Sequence, residues 1–186
     1  MLAKLILDGI VGPLRIGLSK AELLTLVGPP PTWEGKPGTI FNRGIVDYNN
    51  SATWVYNGVH VEIKNGVIDK LIIWSDYHLM DWDHEWFREW PLSLHPRLSE
   101  VRDYLDSEQI PYAITAKQGE FGFDIVMFEA YVLGAPIFKS RAELRNLKLE
   151  DVNVHGIVRV RRHNDVPSVL DPSINIIELM PKRSRP

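Results

Sequence analysis

The sequence predicts an α+β fold: antiparallel β-meanders with a few short helices packed on one face. Three observations predict it. A capped, apolar-sided helix occupies residues 19–27. Asn57-Gly58 and Asn65-Gly66 then cut residues 52–74 into three extended runs. Further helical stretches and alternating apolar runs follow toward the end of the chain.

Taken in order, "MLAKLILDGIVGPLRIG" opens the chain as a strand or a helix. Its apolar stretch is short, Asp8 interrupts it and no small-residue cleavage site follows, so it does not read as a signal peptide. In "LSKAELLTLVGPPP", Ser19 and Glu22 form an S-x-x-E capping box, each side chain satisfying a free backbone N–H. Leu23, Leu24, Leu26 and Val27 supply the apolar side, and Gly28 followed by Pro29, Pro30 and Pro31 stops the helix. A Gly- and Pro-rich loop runs to about Arg43. Asn-Gly tolerates the positive φ angles of a tight two-residue turn, so 52–74 reads as a three-stranded meander. Val59, Val61 and Ile63 alternate with His60, Glu62 and Lys64, which predicts one buried and one wet face and places His60 on the wet one.

"HPRLSEVRDYLDSEQ" reads as a second helix, with Pro96 in its first turn and Leu98, Val101 and Leu105 on its buried side. "IPYAITA" and "FGFDIVMFEAYVL" read as strands, the latter with Phe121, Phe123, Ile125 and Met127 on one face. "KSRAELRNL" reads as a short helix with its own capping box, Ser140 and Glu143. "VHGIVRVRRH" and "INIIELM" read as closing strands, with Arg159 and Arg161 on one face of the first and Val158 and Val160 on the other. Arginines there are expected to charge a solvated strand edge. The boundaries are a domain over 1–181, whole or divided into a helix-plus-meander part (1–76) and a part of helices and antiparallel strands (77–181). Residues 182–186 form a disordered charged tail. "SKAEL" at 19–23 and "SRAEL" at 140–144 echo one another, but both are near-optimal helix starts, and the second half shows no clean repeat of the first.

Composition narrows the function classes. At 186 residues, 45% hydrophobic and 24% charged, the chain is long enough to bury a sizeable core. It has no cysteine, which excludes a disulfide framework, a thiolate zinc site and a cysteine nucleophile. No run approaches the apolar length of a membrane span, so a cytoplasmic location is expected. The net charge of −3 divides into +1 over residues 1–75, −8 over 76–130 and +4 over 131–186. An acidic middle repels phosphate backbones and suits a basic partner.

The densest chemistry is "DWDHEWFREW" at 81–90. A zinc peptidase needs His-Glu-x-x-His; here His84-Glu85 is followed by Arg88, which would repel a cation. Asp81, Asp83 and Glu85 lack the glycine turn and distal glutamate of a calcium loop. Taken as a helix, the segment places Leu79, Trp82, Trp86 and Trp90 on one face and Asp81, Glu85, Arg88 and Glu89 opposite. Two readings follow. The tryptophans are core under solvated carboxylates, or part of the aromatic face is exposed and binds a partner. Elsewhere no nucleophile elbow, P-loop or dinucleotide glycine fingerprint occurs, and six histidines are scattered without ligand spacing. "RVRRH" at 159–163 has no interleaved aromatics and makes a thin nucleic-acid signal.

The run "IGLSKAELLTLVGPP" followed by "WVYNGVHVEIKNGVIDKLIIW" resembles, over residues 14–74, the module of the small outer-membrane assembly lipoproteins. The β-lactamase inhibitor proteins build on a similar module. The resemblance implies helices on a short antiparallel sheet and binding to other proteins. With no cysteine, lipid anchoring does not carry over. In general character the chain also resembles the immunity proteins of bacterial toxin systems. The expectation is a non-catalytic, cofactor-free and metal-free inhibitor that occludes a cognate toxin or another protein with a basic surface, with no nucleic-acid or membrane partner. Its contact residues would be Asp81, Trp82, Asp83, Glu85, Trp86, Glu89 and Trp90. A ligand-binding or enzymatic domain and a structural assembly subunit are the alternatives.

Overall fold

Among the described residues nine strands form one antiparallel sheet, and two more form a hairpin beside it. The structure, a computed structural model, describes residues 1–34, 48–50, 52–74, 82–93, 95–117, 123–136, 148, 150, 152–161 and 174–179. The chain opens as a π-helical turn, Lys4–Asp8, that buries Leu5 and Ile6. Gly9, at φ 66°, ends the turn, and the hairpin β1 (Ile10–Val11) and β2 (Leu14–Arg15) follows. Helix α1 (Lys20–Val27) starts where the sequence predicts, and its capping box is complete: the Ser19 hydroxyl accepts the Glu22 N–H at 3.2 Å and Glu22 accepts the Ser19 N–H at 2.9 Å. Leu23 is fully buried and Leu24 and Val27 partly so, whereas Leu26, expected on the apolar side, is 57% exposed.

Strands β3 (Thr32–Glu34), β4 (Thr53–Tyr56), β5 (Val59–Lys64) and β6 (Val67–Trp74) form a meander. The first lies inside the stretch expected to be loop. Both Asn-Gly turns form, with φ positive at all four residues, the backbone that a two-residue hairpin of matching twist requires. Helix α2 (Leu98–Ser107) buries Leu98, Val101 and Leu105 as its period predicts. Pro96 lies just outside it, one residue before the capping Arg97. Then come β7 (Ala113–Lys117), β8 (Phe123–Val126), β9 (Ala130–Pro136), β10 (Val152–Val160) and β11 (Ile174–Leu179). The run read as one strand over 121–133 is a hairpin, β8 and β9, closed by Met127 N–H donating to Ala130 O at 2.9 Å. Phe121, the helix expected at 139–147 and the 182–186 tail lie outside the described residues.

The strand order is β11-β7-β8-β9-β10-β6-β5-β4-β3. It contains a repeat that the sequence does not advertise. The succession α1-β3-β4-β5-β6 recurs as α2-β7-β8-β9-β10, and the last strands of the two units pair, β6 against β10. The correspondence extends to single bonds. Ile68 N–H donates to Leu18 O, just before the α1 cap, at 2.8 Å; Val154 N–H donates to Pro96 O, just before the α2 cap, at 2.9 Å. Both capping residues form isolated bridges to the last strand of their own unit, Ser19 with Val67 and Arg97 with Asn153. The repeat thus matches α1 with α2 and leaves the "SKAEL"/"SRAEL" echo unrelated to it. The expectation of a second half unlike the first is corrected. Topology and capping are shared, while the side chains that a sequence comparison reads are not.

Both helices pack on the same sheet face, in one core that includes Leu23, Trp54, Leu71, Leu98, Ile125 and Ile157. The opposite face is not simply wet. Ile72, Val126, Val158 and Val160 form a second buried cluster there, flanked by Trp74, Tyr131 and Leu133. His60 faces that side and is buried, against the expectation of a surface residue. The alternation put it on the correct face; the burial of that face comes from neighbouring strands distant in sequence. Arg159 is corrected too. Strand β10 is central, not an edge, so Arg159 is 6% exposed and its charge is met by Glu129 at 2.5 Å. Arg161 is exposed, and Arg162 and His163 lie outside the described residues.

Candidate functional site

The segment 82–90 is not an α-helix. A single 3-10 turn, Glu85–Phe87, is set between irregular turns. Pro91 follows too closely for a longer helix, and Trp, Asp, His and Phe are mediocre helix formers. His84 caps the turn, its Nδ1 accepting the Trp86 N–H at 3.3 Å, while its Nε2 lies 3.1 Å from the Asn57 side-chain amide. A neutral imidazole that accepts at Nδ1 donates at Nε2, so the Asn57 carbonyl oxygen belongs at that contact.

The loss of helical period regroups the tryptophans. Trp82 and Trp90 close to 5.5 Å between ring centroids, and Trp82 and Phe87 to 5.4 Å. Phe87 is buried, and Trp82, Trp86 and Trp90 are half-buried against the main core. Trp90 Nε1 is buried with no hydrogen-bond partner among the described residues. Trp86 separates from the other two and lies on the β1–β2 turn: a Cβ added at Gly12 would fall 2.6 Å from its ring. With φ at +54° and an indole on its surface, position 12 requires glycine. The segment is therefore pinned at two hairpin tips, Gly12 and Asn57, far from it in sequence.

Asp83, Glu85, Arg88 and Glu89 are all exposed, and none forms an ion pair with another described residue. Asp81 lies outside the described residues. The structure thus brings Trp82, Asp83, Glu85, Trp86, Glu89 and Trp90 into one short segment whose rings reach inward and whose carboxylates reach outward. Between this segment and the N-terminal turn and hairpin lies an open cleft of about 550 Å³. Lys4, Ile10 and Gly12 form one wall; Glu85, Trp86, Arg88 and Glu89 form the other. The N-terminal wall is not legible in the sequence. Its one local signal was the Gly12-Pro13 turn, which says nothing about what packs on it.

Two further aromatic groups complete the polar and aromatic map. On the second sheet face, Trp74 covers Gly156, where an added Cβ would meet the ring at 2.6 Å, and touches His60 and His155 at centroid distances of 6.3 and 5.1 Å. Burial lowers the His60 pKa to about 4. At the α1 end of the sheet, Trp33, Tyr48, Trp54 and Tyr56 make successive edge-on contacts, and Lys20 Nζ sits 5.0 Å over the Trp54 ring. Tyr56 donates to Gly28 O at 2.9 Å, and burial raises its pKa. Among the described residues no group of three His, Asp or Glu side chains is placed to hold a metal ion, and no helix is long and apolar enough to cross a membrane.

Fold and site together define an antiparallel α+β chain of two like units with an aromatic, carboxylate-edged segment between them. No protein-family model, curated protein or solved structure matches the chain.

Proposed function

We propose that this chain is a non-catalytic protein-binding inhibitor, an immunity protein that neutralises a bacterial toxin in the cytoplasm by occluding it. The observation that carries the reading is the segment 82–90: three half-buried tryptophans under exposed, unpaired Asp83, Glu85 and Glu89, on a segment pinned at two hairpin tips. Half-buried indoles on a fixed support add contact area to an interface with little rotamer entropy left to lose. Unpaired carboxylates in the −8 middle of the chain favour a basic surface and speed its approach. The helix-plus-meander unit, present twice, agrees with the resemblance of residues 14–74 to a protein-binding module.

The mechanism is occlusion. Carboxylates steer the encounter, the indole edges of Trp82, Trp86 and Trp90 supply the desolvated centre, and the rigid sheet holds both in place. The test is charge reversal. Asp83→Lys, Glu85→Lys and Glu89→Lys together should slow association with the partner by at least about tenfold at low salt, by loss of steering. These side chains are exposed, so the melting temperature should hold. Association at an unchanged rate, with the salt dependence intact, would remove the carboxylates from the interface.

A further inference from the structure

The cleft between the N-terminal hairpin and the 3-10 turn carries an inference that shares Glu85, Trp86 and Glu89 with the protein-partner reading and concerns a different, small occupant. Four charged side chains line it: Lys4 on one wall, Glu85, Arg88 and Glu89 on the other. These four side chains carry two charges of each sign, Met1 also lines the cleft, and no ion pair forms among the four or with any other described residue. Two cationic and two carboxylate side chains therefore border one concavity, exposed and with no hydrogen-bond or ion-pair partner among the described residues. Ile10 and Trp86 supply its apolar lining. Trp86 is fixed against the Gly12 backbone, so the indole is a set surface, not a swinging one.

A volume of about 550 Å³ falls in the range of small-ligand sites. A ligand with a single charge would be attracted by half of the charged lining and repelled by the other half. A ligand with an ammonium and a carboxylate satisfies both halves at once. From this we infer that the cleft binds a zwitterionic aminoacyl ligand with an apolar side chain: a peptide of two or three residues, or a free amino acid of the same chemistry. Its carboxylate would meet Lys4 and Arg88, its ammonium Glu85 and Glu89, and its side chain Trp86 and Ile10. The two readings share Glu85, Trp86 and Glu89 but differ in occupant, so a failed titration with small zwitterions leaves the partner-binding reading standing.

The experiment is calorimetric and fluorescence titration of the intact chain with trileucine, with free leucine, and with N-acetyl-leucine amide as an uncharged control. Saturable binding of trileucine, absent for the control, is expected. Saturation by free leucine alone would support the site and name the free amino acid as its ligand. The double variants Lys4→Met/Arg88→Met and Glu85→Gln/Glu89→Gln should each weaken binding at least tenfold, with melting temperatures unchanged. No saturable signal from either zwitterion overturns the proposal. So does binding that the uncharged control shares, or that both double variants retain.

Discussion

At the scale of single residues, His60 sets how the fold responds to acid. Its imidazole is 5% exposed, and burial holds its pKa at about 4, below the ordinary 6.5. A base whose folded pKa is depressed is protonated first in the unfolded chain. Its contribution to stability is therefore complete above pH 6.5, shrinks as pH falls, and is gone below about pH 4. The loss by pH 4.5 is roughly 2–3 kcal/mol. Urea unfolding of wild type and His60→Leu at pH 7 and 4.5 checks it: the variant should lose less stability between the two conditions by about that amount. Equal losses would mean that the imidazole is hydrated. The alternation of β5 reveals which way this side chain points, because period two is a local property. It could not reveal the burial, which Val55 and Ile72 opposite it and Trp74 beside it impose from other strands. Arg159 follows the same logic: its face was legible, and the Glu129 carboxylate that meets it belongs to another hairpin.

At the scale of elements, what could be read from the sequence is what neighbouring residues determine. The α1 capping box and the two Asn-Gly turns form as the sequence predicts, since each depends on residues within a few positions. Hydrogen bonds from the Ser19 hydroxyl and backbone lower the Glu22 pKa, so the box is a charged one. Ser19→Ala should cost about 1 kcal/mol, read as a shifted midpoint in urea unfolding. An unchanged midpoint would show that the bridge from Ser19 to Val67 alone holds the helix start. The segment 82–90 is the opposite case. Its tryptophan spacing fits a helix, yet Pro91, the Gly12 turn and the Asn57 turn determine its path. The residues of the candidate site were thus legible as a dense cluster. Their grouping, with Trp86 apart from Trp82 and Trp90, and the cleft wall from the N-terminal hairpin were not.

At the scale of the whole molecule, the sheet passes from one unit to the other through the β6–β10 pairing, and one core takes side chains from both. Cooperative unfolding follows, because neither unit can lose its strands without exposing the other's core. Far-UV dichroism and tryptophan fluorescence should give coincident urea transitions; two separated transitions would show units that unfold independently. The central claim is that the carboxylates and tryptophans of 82–90 hold a protein partner. The most direct measurement is a paired pull-down from host lysate, with wild type and the Asp83→Lys/Glu85→Lys/Glu89→Lys variant as baits and retained proteins identified by mass spectrometry. One protein should be retained in stoichiometric amount by wild type and lost from the variant. Retention by both baits alike, or by neither, would contradict it.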